Sequence, residues 1–435
     1  MSSMKSNSHS SHNIKMETSS LFTPTTVAAA LLAATTLTIH AQTTWEPLLP
    51  SLDPAPSGQG YSVLIDPFPV PNQFSVFLGC DTPSGNPSVL RLTAPDPSFS
   101  SFTVEGVDSG LAAAERLALN PGDGLYAAGF VMNNANPRNP VGVWKVRKSP
   151  AASQGVANTW SDDDQFSLSS SAESLATGIT RDTLGNVYVA GVAESGSSPH
   201  WVVRRKHPLG SWTTVFDAKG QNALMNPGMC FFPGNANNSK PAVFTVSDLN
   251  SKWTVFRSQN LGTNWASVDS WPSDKSSATA YDAACDSQSG YIYVVGTRGL
   301  QTQNPRAWVI RTSKDGGDTW STLLDVTLTN SWAKSVAIDA AGNVSVSGVV
   351  FNQTGTPLWM IIRCTTPQIP AAWTASYANG FIPFGNTTYS KGRGIAADPA
   401  GNLFVTGFVE NWTDTTTSPS TFYSGDRVGL LRLTP

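Results

Sequence analysis

The stretch AIDAAGNVSVSG (337–348) joins an apolar run ending in Asp, a short polar turn and an alternating strand that ends in Gly. The chain writes it again as AADPAGNLFVTG (396–407) and TRDTLGNVYVAG (180–191). Gly and Asn in the turn tolerate the positive φ that a tight hairpin requires. The alternation that follows is the period of a half-buried strand. A third segment comes next, as in WVVRRK (201–206), AWVIRTS (307–313) and WMIIRC (359–364). Each repeat is therefore a run of antiparallel strands.

The glycines that end the second strands are Gly79, Gly129, Gly191, Gly296, Gly348 and Gly407, at intervals of 50, 62, 105, 52 and 59. The longest interval is about twice the others, and a degenerate copy fills it: GMCFFPGN (228–235), PAVFTVSD (241–248) and KWTVFRS (252–258). That makes seven copies. A fourth strand opens on an aromatic residue, at Phe102, Trp160, Trp212, Trp265, Trp320 and Trp373. The last copy ends on its third strand, VGLLRLTP (428–435), so TWEPLLP (44–50), beginning at Trp45, is expected to supply its outer strand. Repeats of about 40–60 residues built from four strands predict an all-β, seven-bladed β-propeller closed by the N- and C-terminal strands. A chain of β-sandwich domains would need linkers, and none is visible after residue 60.

Composition agrees with a loop-rich β protein. Only 13% of the 435 residues are charged, against about 25% in ordinary domains, while 36 Gly, 30 Pro and 14 Trp are present. The net charge of −3 argues against nucleic acid as a partner, which would favour a basic face. Upstream, Lys5 and Lys15 precede the apolar run VAAALLAATTLTI (27–39), followed by IHAQ. This reads as a secretory signal over 1–41, cleaved after Ala41, with a single domain over 42–435 and a secreted, periplasmic or extracellular location. The apolar run is shorter than the roughly 20 residues of a membrane helix, so no membrane span is expected. Four Cys without a C-x-x-C pair predict no metal site, and no cofactor motif is present. Cys230 and Cys285 share one repeat position in adjacent copies, which leaves open either a disulfide near the axis or two buried thiols.

SKDGGDTW (313–320), and SQNLGTNW (258–265) with Asn in place of Asp, resemble the Asp-boxes, or BNR repeats, of sialidase-like propellers. The DPAGNLFVTG units are similar to the SBBP-type repeats of exported bacterial proteins, and together the likeness spans residues 44–435. In the boxes Ser313 and Asp315 can bond amides of their own turn, which makes them folding staples. The resemblance implies that they lie on the face opposite the active site.

Aligning the seven first strands predicts which residues ring the mouth. The outer position is Tyr61, Glu115, Thr177, Asn226, Tyr281, Lys334 and Arg393; the next is Ser62, Arg116, Gly178, Pro227, Asp282, Ser335 and Gly394. Polar residues around a narrow opening make a concave site with convergent polar groups. We expect a glycan or protein ligand there, held by Tyr61, Glu115, Arg116, Tyr281, Asp282, Lys334 and Arg393, with loop aromatics such as Trp412 and Tyr423 in the long loop 408–429 assisting. The sialidase resemblance implies an alternative, an exo-acting, retaining glycoside hydrolase. Its parts would be Arg116, Arg393 and Arg306 as a carboxylate clamp, Asp282 as the acid, and Tyr281 or Tyr61 with Glu115 as the nucleophile pair. The chain lacks the F/Y-R-I-P motif of that family, and sialidase propellers have six blades. The third-strand arginines (Arg91, Arg204, Arg311, Arg363 and Arg432) recur at one position and read as packing between repeats.

Overall fold

A computed structural model describes residues 45–49, 58–66, 74–81, 86–96, 101–133, 141–153, 155–220, 226–236, 238–274, 276–300, 303–329, 331–352, 354–378, 380, 389–414 and 421–434. The segment 1–41, expected to be a secretory signal, lies outside the described residues. The strands run from β1 (Trp45–Leu49) through β2 (Gln59–Ile65), β3 (Phe74–Asp81), β4 (Val89–Ala94) and β5 (Thr103–Asp108). Next are β6 (Ala113–Asn120), β7 (Gly124–Asn133), β8 (Val141–Pro150) and β9 (Ser161–Phe166), then β10 (Ser174–Arg181), β11 (Val187–Ser195), β12 (Ser198–Lys206) and β13 (Trp212–Lys219). The degenerate copy supplies β14 (Gly228–Phe232), β15 (Ala242–Leu249), β16 (Lys252–Ser258) and β17 (Ala266–Trp271). It is followed by β18 (Ser277–Cys285), β19 (Ile292–Leu300), β20 (Gln303–Ser313) and β21 (Ser321–Thr329). Last come β22 (Trp332–Ile338), β23 (Val344–Phe351), β24 (Pro357–Cys364), helix α1 (Pro370–Ala378), β25 (Tyr389–Ala397), β26 (Leu403–Asp414) and β27 (Thr421–Leu433).

The protein is all-β, with antiparallel four-stranded sheets recurring along the chain. β10 to β13, β14 to β17 and β18 to β21 each pair in sequence order. β2 to β5 and β6 to β9 do the same and touch through one rung, Asp81 opposite Ala113. β1 adds to the outer edge of β27, completing the sheet β25–β26–β27–β1 across the whole length of the chain. The first strands β2, β6, β10, β14, β18, β22 and β25 each pack on the next, and β25 packs on β2.

Two expectations are corrected. Trp373 does not open a fourth strand: β22, β23 and β24 form a three-stranded sheet, and α1 packs beside β24. Pro370 occupies the first helical position, where its missing N–H is no loss, and the Ala-rich PAAWTASYA continues as helix. Trp373 is fully buried and donates to Pro367 O at 2.7 Å, so it fills inter-sheet space as the other aromatics do. The stretch 408–429 is mostly not a loop. β26 and β27 continue through it, with a register slip between Glu410 and Trp412 and then Trp412 opposite Tyr423 and Asp414 opposite Thr421. Its aromatic and β-branched residues favour strand over loop; the side chains of Trp412 and Tyr423 lie outside the described residues.

The repeated turn is held by its Asp. Asp182 Oδ1 accepts from Leu184 N and Asn186 N at 2.9 Å each, Asp182 Oδ2 accepts from Asn186 Nδ2 at 2.6 Å, and Gly185 sits at φ +81°. Asp339 and Asp398 repeat these bonds with Asn343 and Asn402. The SKDGGDTW turn works similarly. Gly317 N donates to Ser313 Oγ at 2.8 Å, Asp318 N and Thr319 N donate to Asp315 Oδ1, and Trp320 Nε1 donates to Gly317 O. SQNLGTNW reproduces the pattern with Asn260 in the role of Asp315. A longer turn, SPAASQGVANTW (149–160), keeps only the first bond, from Gly155 N to Ser149 Oγ at 2.9 Å. In all three the glycine faces an aromatic ring of the preceding sheet: Phe77, Tyr188 or Phe244.

Some third-strand arginines lock sheet to sheet, whereas Arg91 and Arg363, expected to do the same, bond within their own repeats, to Ser75 and Glu105 and to Asp339. Arg204 makes two bonds to Asp164, of 2.7 and 2.8 Å, and Arg311 makes two to Asp269 at 2.8 Å each. Arg147 reaches Asp108 in the same way. Each of these three aspartates sits on the fourth strand of the preceding sheet. Such paired, largely buried forks are the strong form of the ion pair.

Candidate functional site

Every first strand but one carries a β-bulge at the same place. Ladder register slips between Gly60 and Ser62, Ala114 and Arg116, Ala176 and Gly178, Ala280 and Asp282, Ala333 and Ser335, and Gly392 and Gly394. The skipped residues are Tyr61, Glu115, Thr177, Tyr281, Lys334 and Arg393. A bulge leaves one residue without a ladder partner and re-aims it. The exception is β14, where Asn226 stands just before the strand at φ +27°. These seven, with Arg116, line one opening. The predicted outer ring is thus brought together in full.

The strand-ending glycines face the bulges. Gly191 pairs with Ala176 and Gly348 with Ala333. A Cβ on Gly191 would lie 1.9 Å from Leu175 O and 2.4 Å from the Trp144 ring; on Gly348 it would meet Trp332 O at 2.3 Å and the Trp308 ring at 2.8 Å. No side chain fits there, because bulged backbone and a tryptophan of the preceding sheet close on one point.

One step along the same strands lies a second cavity, which shares Arg116 and adds Ser62, Asp282, Ser335 and Gly394 above Val63, Leu117, Ile179, Met229 and Ile395. Glycine is needed at 178, where a Cβ would stand 2.4 Å from Pro227 O. Neighbouring first strands approach too closely for more.

Around the opening, adjacent residues pair as cation and aromatic ring. Arg393 stacks on Tyr61 at 4.6 Å and donates to Gln59 Oε1 at 3.1 Å. Lys334 Nζ sits 3.4 Å above the Tyr281 ring and 5.9 Å from that of Trp332. Arg116 is turned into the backbone, donating to Tyr61 O and Glu115 O at 3.2 Å each, with Asp282 at 3.8 Å. Asp282 accepts from Ser335 Oγ at 2.6 Å, Ala283 N at 3.0 Å and Val336 N at 3.3 Å. Those bonds make it a brace between β18 and β22.

Two acids flank Arg393. Glu115 is 9% exposed, and burial pushes its carboxyl above the usual range while Arg393 and Arg116 pull the other way. Burial also raises the Asp81 carboxyl, against Arg393 and a hydrogen bond with Tyr61. The Tyr61 phenol is raised by burial first and by Glu115 second. Asp81 and Gln59 were not among the residues expected from sequence. Their signal was positional: they are opposite one another in the register next to the bulge. Arg306 belongs to β20, with its side chain outside the described residues.

Cys230 of β14 and Cys285 of β18 are joined by a disulfide, Cα–Cα 6.1 Å, and Cys80 and Cys364 are buried and free. Among the described residues no helix is long and apolar enough to cross a membrane, and no cluster of three His, Cys, Asp or Glu could hold a metal.

No family model and no curated protein matches this chain. It is similar in structure to the polysaccharide lyase Uly1 (TM-score 0.47, 11% identity, 86% of this chain and 89% of that one). It is also similar to a protein of unknown function from Dyadobacter fermentans (0.42, 10%, 87% and 95%) and to Trypanosoma rangeli sialidase (0.38, 10%, 72% and 56%). At such distance activity must be argued from the site itself.

Proposed function

We propose that the chain is a seven-bladed β-propeller of the Asp-box type, exported by its N-terminal segment, and that it is a binding module receiving a glycan or a protein loop in its central mouth. Support for the blade count comes from seven first strands in mutual contact, with α1 standing in for one outer strand and β1 completing another. One observation carries the function: each repeat delivers one bulged or turn residue to a single opening, and these seven differ in chemistry while their scaffold is constant. A folding device would repeat its residues; a recognition surface varies them.

The test is binding of the purified protein to glycan and surface-protein panels. We expect captured partners to be lost in Tyr281→Ala and Arg393→Ala and kept in Leu209→Ser, at a turn 96% exposed. Binding indifferent to both mouth substitutions would overturn the reading. A second reading is hydrolysis, favoured by the Tyr61 hydroxyl bonded to Asp81 beside Glu115 and Arg393. It predicts turnover of fluorogenic glycosides, a sialoside included, that disappears in Arg393→Ala. The brace at Asp282 weighs against that residue as its acid.

A further inference from the structure

The degenerate repeat holds its mouth residue differently from the other six. In those, the residue presented is a bulge with paired strand on either side of it. Asn226 instead precedes β14, which is five residues long, has no bulge and pairs with a β15 that contains no glycine. Three contacts take over. Thr177 Oγ1 donates to Pro227 O at 3.1 Å. A Cβ on Gly228 would lie 2.6 Å from Tyr281 O and 2.8 Å from Asp282 Cα, so β14 approaches β18 as closely as backbone can. Beyond them, Cys230 is bonded to Cys285, in the one disulfide among the described residues. These cysteines stand four residues after Asn226 and four after Tyr281. The covalent bond therefore ties two neighbouring mouth residues at the same distance along their strands, in the repeat where the usual bulge is missing.

We propose that the Cys230–Cys285 disulfide positions the Asn226–Tyr281 arc of the mouth, and that a dithiol reductant releases this arc, so that the ring is complete in the oxidised protein alone. For ligand capture this rests on the binding reading above; the ordering of the arc does not. Cys285 ends β18 beside the turn 286–290 and is partly exposed, whereas Cys230 is 7% exposed. Attack therefore falls on Cys285 Sγ. A thiolate of the reductant forms a mixed disulfide there, and Cys230 leaves as a thiolate and takes up a proton. The second thiolate of the reductant then closes its own disulfide and releases Cys285, which is protonated in turn. Two electrons and two protons pass to the protein, and the dithiol ends as a cyclic disulfide. With the bond cut, β14 keeps five ladder pairs and the bond from Thr177, while the bulged strands keep everything that held them. The loosening is therefore local, in the stretch with the fewest remaining contacts.

The experiment is hydrogen exchange of the full chain, oxidised and after dithiothreitol, with alkylation and mass spectrometry to establish that the bond is cut. Amides of 226–232 and 277–285 should exchange about ten-fold or more faster in the reduced chain. Those of β2 and β25, which carry Tyr61 and Arg393, should change by less than about two-fold, and reoxidation should restore protection. Cys230→Ser/Cys285→Ser should match the reduced chain and ignore dithiothreitol; if that variant does not fold, the reduced parent chain carries the test. A bond that dithiothreitol leaves intact in the folded protein would overturn the proposal, as would a cut bond with exchange unchanged in both segments. A rise spread evenly over all seven first strands would also overturn it, since that marks a general staple and no positioning of one arc. Binding panels run on both forms separate the two readings. Partners held by the oxidised chain and lost on reduction support the proposal in full, and partners held equally by both forms overturn the redox dependence of binding. A loosened arc with no partner captured in either form removes the binding module and leaves the positioning of the arc standing.

Discussion

The two ends of each repeat obey different rules. At the turn end, Asp182, Asp339 and Asp398 make the same bonds to the same Asn, three times over. At the bulge end the backbone repeats in six of the seven first strands, but the residue presented changes from Tyr to Glu, Thr, Asn, Tyr, Lys and Arg. Constancy marks where the chain is solving a folding problem. Variation on a recurring backbone is the observation on which the binding proposal rests.

If that division is right, substitutions at scaffold positions should cost far more stability than substitutions at the mouth. Gly191→Val should have the largest effect, because the added atoms strike Leu175 O and the Trp144 ring. We expect a loss of roughly 4 kcal/mol or more, or no folded protein, read by denaturant unfolding. Arg311→Met strands the largely buried Asp269 and should cost about 3 kcal/mol, much of it recovered in the Arg311→Met/Asp269→Leu double variant. Asp182→Ala removes the acceptor for two turn amides and should cost about 2 kcal/mol.

Glu115→Gln inverts the sign. A carboxyl whose folded-state pKa lies above its unfolded value disfavours the fold once ionised, so stability falls as pH rises through that window. The variant should melt higher than the parent at pH 8, and the difference should close below pH 4.5, the ordinary value of the group. A variant that melts lower at pH 8 would place Glu115 with the scaffold. Asn226→Gly, at an exposed position with positive φ, should shift stability by less than about 0.5 kcal/mol. A loss near that of Asp182→Ala would erase the distinction between the two ends.

The same division explains what could be read without coordinates. The ring Tyr61 to Arg393 was legible because Gly79, Gly129, Gly191, Gly296, Gly348 and Gly407 set the register of six first strands and the degenerate copy fell between them. The reason those glycines recur was not legible, since it needs close backbone approach and, at Gly191, Gly296 and Gly348, a tryptophan from the preceding sheet. Trp373 was misread for a related cause. Aromatic spacing reports the space to be filled between sheets, and a helix can fill it as well as a strand. Asp81 went unnoticed because its partner Tyr61 lies on the neighbouring strand, and sequence alone shows no cross-strand hydrogen bond.

The seam between β1 and β27 has a mechanical meaning. Trp45 lies opposite Leu433, and the pairing runs from there to Leu49 opposite Leu430. A load applied through Trp45 and Leu433 therefore acts on one end of the ladder and opens its rungs one after another, instead of shearing them together. In a pulling experiment between those two positions, β1 should detach first and at low force, and the sheets made from consecutive strands should resist longer.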